Sequence, residues 1–407
     1  MTEIRGNGDH ERLVAALGAA LASWEEWKHG KSLLGQYPPS GDVVAPLVDA
    51  IQECRAFKLV EGSALFSGNS GVVLHAPSLA PQLLYRAERA NSSDAASWFL
   101  RLLAMQEADG TFIAALWGLS VGQPVQLTET MSLIPFDNLA DRQMKQRILD
   151  TAREEYDHVW ISQRYFGRPG AALVKKVSGF PYIGALDQSV QILERLTDDI
   201  KGPLHFLQAN ATGQPLAVAT WFEYEDVELD LNDHENYLSW FLPEVIPHIS
   251  EHVAVDAVAL KTDVEALWSL PAELQSKLLR SMERFILSQC RRQIGDRAID
   301  LMIAFETAVS GGKGENTPVN WKVGVRAAQL IGGTLARRKQ VRATLSSLSR
   351  PRNEIVHGGS SRDADQQKLE QTLTESASIY RALLASFLSL GAEPDWSSLE
   401  LEPRTRD

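Results

Sequence analysis

Cysteine is nearly absent from this 407-residue chain: Cys54 and Cys290 are the only two, and they stand far apart. That excludes a disulfide framework and a cysteine metal knuckle, and two isolated thiols suit a reducing, cytoplasmic setting. No apolar run approaches the length of a membrane-crossing helix. The first residues lack the basic and apolar stretches of a secretory signal, so the expectation is a cytoplasmic protein with no membrane partner. Positive charge is scarce too: 40 Lys/Arg against 52 Asp/Glu leave −12, the wrong balance for a general nucleic-acid coat. Internal repeats and low-complexity tracts are missing. Two phosphate-loop look-alikes also fail. Gly30-Lys31-Ser32 has Glu25 where the leading glycine of a P-loop belongs, and Ser67-Gly68-Asn69-Ser70-Gly71 lacks the triple-glycine fingerprint and reads as a turn. No cofactor is expected.

What is present is enough apolar material, 44% of residues, for two domains with cores of their own. The charge is unevenly spread. Residues 270–390 carry 18 Lys/Arg and 11 Asp/Glu, a surplus of +7, whereas residues 1–269 hold a deficit of −16. Phosphate affinity follows local cations, so a basic patch on an acidic protein still permits RNA binding. Arg337, Arg338, Lys339 and Arg342 are the densest group. As sequence they fit an RNA-binding surface or a merely solvated helix face.

Helical spacing of Leu13, Leu17, Leu21 and Trp24 predicts a helix over 9–29, and a second follows over 43–57. Strands are expected in 111–119, 124–133, 172–183 and 216–222, where β-branched and aromatic residues lie between Gly, Pro and Asn. Helices are expected around 141–156 and 187–200. Past about 254 only helical periodicity remains, in 265–291, 296–310, 319–331, 337–347, a short helix from Pro351, and 364–390. The domains expected are 1–260, α+β; 261–392, all-helical; and 393–407, a flexible tail.

The residues that carry chemistry lie in Arg352-Asn353-Glu354-Ile355-Val356-His357-Gly358. On a helix Asn353 and His357 share a face at i, i+4, with Arg352 beside them. Imidazole can move a proton near neutral pH, guanidinium can hold charge growing on phosphate oxygens, and a carboxamide can orient either. The Arg-x4-His spacing recurs at Arg5–His10, in a Gly/Asn/Asp-rich segment that reads as disordered. It recurs again at Arg153–His158, among Glu154, Glu155 and Asp157, which would repel phosphate. Only the third copy has Pro351 at a natural first helical position, Ile355 and Val356 to bury, and a basic surrounding. A further clue is Glu306, a carboxylate on the apolar stripe Met302, Phe305, Val309. It needs a partner such as Arg352, Arg326 or water, unless it sits at the stripe's edge and reaches solvent.

The stretch 296–359 resembles the HEPN superfamily, and most closely its Apea-like branch, found in anti-phage and toxin systems. Ala298–Glu306, Val325–Leu330 and the segment 352–358 carry the likeness. The resemblance implies an all-α HEPN-type helical bundle, which follows the α+β N-terminal region that the mixed strand and helix pattern predicts. It implies a metal-independent endoribonuclease in a defence or toxin system, tRNA being among its candidate substrates. Arg352, Asn353 and His357 match the family motif as catalytic residues. Arg350 also meets the longer family spacing, so either arginine fits. Glu306 would support the site, and Arg326, Arg337, Arg338, Lys339, Arg342 and Arg350 would bind RNA. Family members pair so that two motifs face one cleft, which implies a homodimer. An antitoxin or phage-derived trigger fits such a system, with the N-terminal region sensing or restraining.

Two rival readings stand beside it. Members of this superfamily also serve as non-catalytic modules binding RNA, nucleotide or protein. Separately, His248-Ile-Ser-Glu251-His252 fits the inverted zincin pattern, two imidazoles for zinc and a glutamate base. Pro243 and Pro247 precede it, a strand follows at 253–258, and no third ligand can be assigned.

Overall fold

A computed structural model describes residues 7–30, 41–67, 70–153, 167–210, 215–229, 252–310, 320–356 and 363–401. The chain is α+β and mainly helical. It divides into two compact units that interleave in sequence. One comprises Met1–Ala114, Val174–Thr197 and Thr220–Ser239; the other comprises Ala115–Leu173, Asp198–Ala219 and Trp240–Asp407. No helix among the described residues is long and apolar enough to cross a membrane.

The first unit opens on the helix Asn7–Gly30, which buries Leu13, Leu17, Ala20 and Trp24 along one stripe, as the spacing predicts. The helix begins earlier than expected and takes in His10, whose Nε2 lies 3.2 Å from the Ser93 carbonyl and 3.1 Å from Ser97 Oγ. The segment read as disordered is therefore structured from Asn7. Strands β1 (Ala64–Ser67) and β2 (Ser70–Val73) pair antiparallel from Ala64↔Val73 to Ser67↔Ser70, on either side of the expected turn. The helices Ala76–Arg89 and Ser92–Ala104 follow; Asn91 caps the second by accepting the Asp94 N–H at 2.9 Å. An aromatic cluster fills this unit. Phe180 stacks on Phe222 at 4.0 Å, while the buried hydroxyls of Tyr182 and Tyr224 donate to the carbonyls of Leu229 and Phe66, both at 2.9 Å.

Strands β3 (Glu107–Trp117), β7 (Ala171–Pro181) and β9 (Leu216–Tyr224) supply residues to both units, in a sheet ordered β5-β6-β7-β3-β9. Its β5 (Val125–Gln126) and β6 (Met131–Pro135) form an antiparallel pair. In the second unit β4 (Leu119–Val121) runs parallel to β10 (Val253–Val255), so the expected strand at 253–258 forms only in its first half. Asp256 ends it by capping the next helix, accepting from Val258 N at 2.8 Å and Ala259 N at 3.2 Å.

From Ala257 onward every described element is a helix: Ala257–Ser269, Ala272–Cys290, Ile294–Val309, Asn320–Ile331, Leu335–Val356, Asp363–Leu390 and Trp396–Leu401. The single helix expected over 265–291 is two, because Pro271 lacks an N–H and forces Leu270 to extended backbone. The core here joins three helices through a buried relay. Tyr380 donates to Ser281 Oγ at 2.6 Å, Ser281 donates to the Ala304 carbonyl at 2.7 Å, and Tyr380 stacks on Phe285 at 4.4 Å. Burial pushes the Tyr380 phenol far above its usual range. Buried Asp300 accepts from Arg284 at 3.2 Å and Arg291 at 2.9 Å.

His205, in the helix Leu186–Asn210, titrates below its ordinary value. Burial is the main cause and Lys201 adds to it, against the opposing pull of Glu283. A neutral, half-buried imidazole favours the fold fully above its unfolded value of 6.5 and loses that contribution as pH falls below it. Denaturant midpoints should therefore drop between pH 7.5 and 5.5 less steeply in His205→Gln than in wild type. Parallel pH profiles of the two would remove His205 from the acid response.

The segment after Gly391 departs from the flexible tail expected of it. Trp396 and Leu399 are buried, and residues 396–401 form a helix capped by Asp395, which accepts from Ser397 N at 3.1 Å and Ser398 N at 3.2 Å.

Candidate nucleic-acid interface

The helix Leu335–Val356 carries the Arg-Asn-x3-His motif in its last turn and beyond. It is a single helix where two were expected, so Pro351 lies inside it and not at a first turn. Proline offers no N–H to the carbonyl of Ser347 four residues back, which leaves that acceptor to another donor. Val341, Leu345 and Leu348 bury one stripe at i, i+4, i+7. The other side, including Lys339, Arg342 and Ser346, is exposed, as is Arg337 in the first turn. Within the helix Glu354 is the sole acidic residue against six cations.

Those cations are not equivalent. Lys339 and Arg342 are exposed and form no ion pair with another described residue. Arg337 is exposed and donates to Gln340 at 3.1 Å. Arg338 is half-buried and donates to Gln329 at 2.6 Å. Arg326 corrects the sequence expectation: it is 2% exposed and cannot reach RNA. Its Nε donates to Glu400 at 2.6 Å, its Nη1 to the Val309 carbonyl at 2.8 Å, and its guanidinium lies 5.1 Å from the Trp396 ring centre. It is the clasp of the last helix.

Glu306 is half-buried beside buried Met302, Phe305 and Val309, and it is not an unpaired charge. The helix backbone is described through Val356; the side chains of Arg350, Arg352 and Asn353, and all of His357, lie outside the described residues.

The zincin reading meets an obstacle at His252. The Gly118 N–H donates to its Nδ1 at 3.2 Å, so the proton sits on Nε2, which lies 2.8 Å from the Arg168 carbonyl. Both ring nitrogens are engaged as in a structural histidine, and neither is left for zinc. His248 and Glu251 lie outside the described residues. A Cβ on Gly170 would stand 2.8 Å from the His252 ring and closer still to the Leu119 carbonyl oxygen. Gly170→Ala should therefore lower stability by about 1–3 kcal/mol in chemical denaturation. Unchanged unfolding would show that the imidazole is not fixed there.

Sequence reasoning missed three features: the Arg326–Glu400–Trp396 clasp, the Tyr380–Ser281 relay, and Trp321, which is 52% exposed. The last had a signal. Val323, Ala327 and Leu330 mark the buried stripe of the helix Asn320–Ile331, and helical periodicity sets Trp321 on the far side of it. Comparisons with protein-family models, with curated proteins and with solved structures returned no match.

Proposed function

We propose that the chain is a metal-independent endoribonuclease of HEPN type, working as a homodimer in a prokaryotic defence or toxin system. One observation carries the reading: Arg352 and Asn353 lie near the end of a helix whose exposed face is cationic and whose sole acid is Glu354, and His357 follows them in the sequence. In this chemistry His357 takes the proton of a ribose 2′-OH. The freed oxygen attacks the adjacent phosphorus and the bond to the 5′-oxygen breaks. Arg352 holds the charge on the non-bridging oxygens, and Asn353 orients the phosphate or the imidazole. The departing 5′-oxygen takes its proton from the partner subunit's His357 or from water. The products are a 2′,3′-cyclic phosphate and a 5′-OH end.

The test is incubation of pure protein with tRNA and other RNAs in EDTA, with the new ends analysed chemically. The reading expects cyclic-phosphate ends and no cutting of DNA, which lacks the nucleophile. Cleavage of DNA, or cutting that chelation stops, would refute it. RNA held but never cut would favour the non-catalytic alternative. By elimination, the N-terminal region is left with sensing, substrate choice or restraint.

A further inference from the structure

We infer that Trp321 is a stacking platform for a base of single-stranded RNA, set beside the motif and steered by Arg342. The inference rests on the nuclease reading and names the part of the substrate that this surface would hold.

The placement follows from helix register. Gly332 and Gly333, both at positive φ (75° and 84°), turn the chain from the helix Asn320–Ile331 into the helix Leu335–Val356. The two pack as an antiparallel pair. Gln329 accepts from Arg338 at 2.6 Å. A turn further along, a Cβ built on Gly324 would lie 3.4 Å from Arg342 Cγ, so the aliphatic stem of Arg342 crosses the bare backbone of Gly324. Stepping four residues back on one helix and four forward on the other brings Val325 level with Arg342, then Trp321 level with Ser346. Trp321 and Gly324 are i, i+3 neighbours, so Trp321 stands one turn from the point where the stem of Arg342 crosses. Asn353 follows seven residues after Ser346, two turns on along the same face and about 10 Å along the axis.

The chemistry favours a nucleobase. Half of a large apolar ring stands in water, and it makes no hydrogen bond or ring contact with another described residue. The neighbouring helix presents Lys339 and Arg342 without carboxylate partners among the described residues. An aromatic plane flanked by free cations accepts a base on its face and phosphates on its rim. Since every base has a π-face, the platform serves unpaired RNA and discriminates against a duplex, whose bases are already stacked.

The test uses the full chain carrying His357→Ala, so that RNA is bound without turnover, and a short end-labelled single-stranded RNA as probe. Trp321→Ala in that background should weaken binding roughly 5- to 150-fold, with the salt dependence of binding unchanged. Trp321→Tyr should keep most of the affinity and Trp321→Leu should not. Arg342→Ala should lower the salt slope by about one. Equal binding by Trp321→Ala, or full binding by Trp321→Leu, would overturn the proposal. So would a fall in assembly mass on sedimentation with RNA affinity intact, which would make the indole a subunit contact. The two readings fail separately. RNA held through Trp321 but never cut by the wild-type chain would remove the catalysis alone; RNA cut equally by Trp321→Ala would remove the platform alone. A chain that binds no RNA overturns both.

Discussion

RNA cleavage in EDTA should fall by about 10²–10⁴-fold when His357 becomes alanine, the range a general acid–base residue contributes. In the proposed mechanism the substitution removes the group that takes the 2′-OH proton, and 352–358 holds no other histidine to replace it. Arg352→Ala should cost about 10²–10³-fold, as expected for loss of one donor to a developing oxyanion. Arg352→Lys keeps the charge and loses the planar fork, so it should recover only part of that rate. Arg350→Ala separates the two arginines: if Arg352 is the partner, Arg350→Ala acts through affinity and salt dependence, not through turnover at saturating RNA. Gel-based rates on one RNA measure all four. An enzyme that cuts as fast without His357 has no use for this motif.

The largest effect on stability is expected at Arg326. Its guanidinium is almost fully buried and holds Glu400, the Val309 carbonyl and the face of Trp396 at once. Arg326→Ala would leave a part-buried carboxylate and a carbonyl without their donor, which costs about 3–5 kcal/mol, towards the lower figure because Glu400 keeps 20% exposure. Chemical denaturation reads this directly, with Arg337→Ala, an exposed cation on the next helix, as the control expected within about 0.5 kcal/mol. Adding Glu400→Gln to Arg326→Ala should restore part of the loss, since the stranded charge is then gone. A wild-type midpoint in Arg326→Ala would mean that the clasp contributes nothing.

What the sequence disclosed follows from the range of the interactions involved. Leu13, Leu17 and Trp24 announce their helix because burial repeats every 3.6 residues, and β3, β7 and β9 announce themselves by β-branched and aromatic runs. Punctuation was harder. Pro271 breaks a helix and Pro351 sits inside one, although each precedes or follows similar helical text. The motif itself was legible as residue types and spacing, while the fate of individual cations was not. Arg326 and Arg342 look alike in the chain; Glu400, 74 residues away, decides that one is interior and the other exposed. His252 is similar: its partners Gly118 and Arg168 come from distant strand ends, and only the fold brings them to the ring.

Because the compact units interleave, synthesis sets an order on their completion. The first unit has all its residues once the ribosome has passed 239, whereas 115–173 and 198–219 must wait for 240–407 before theirs is whole. At cellular elongation rates of 5–20 residues per second that wait is about 10–30 s.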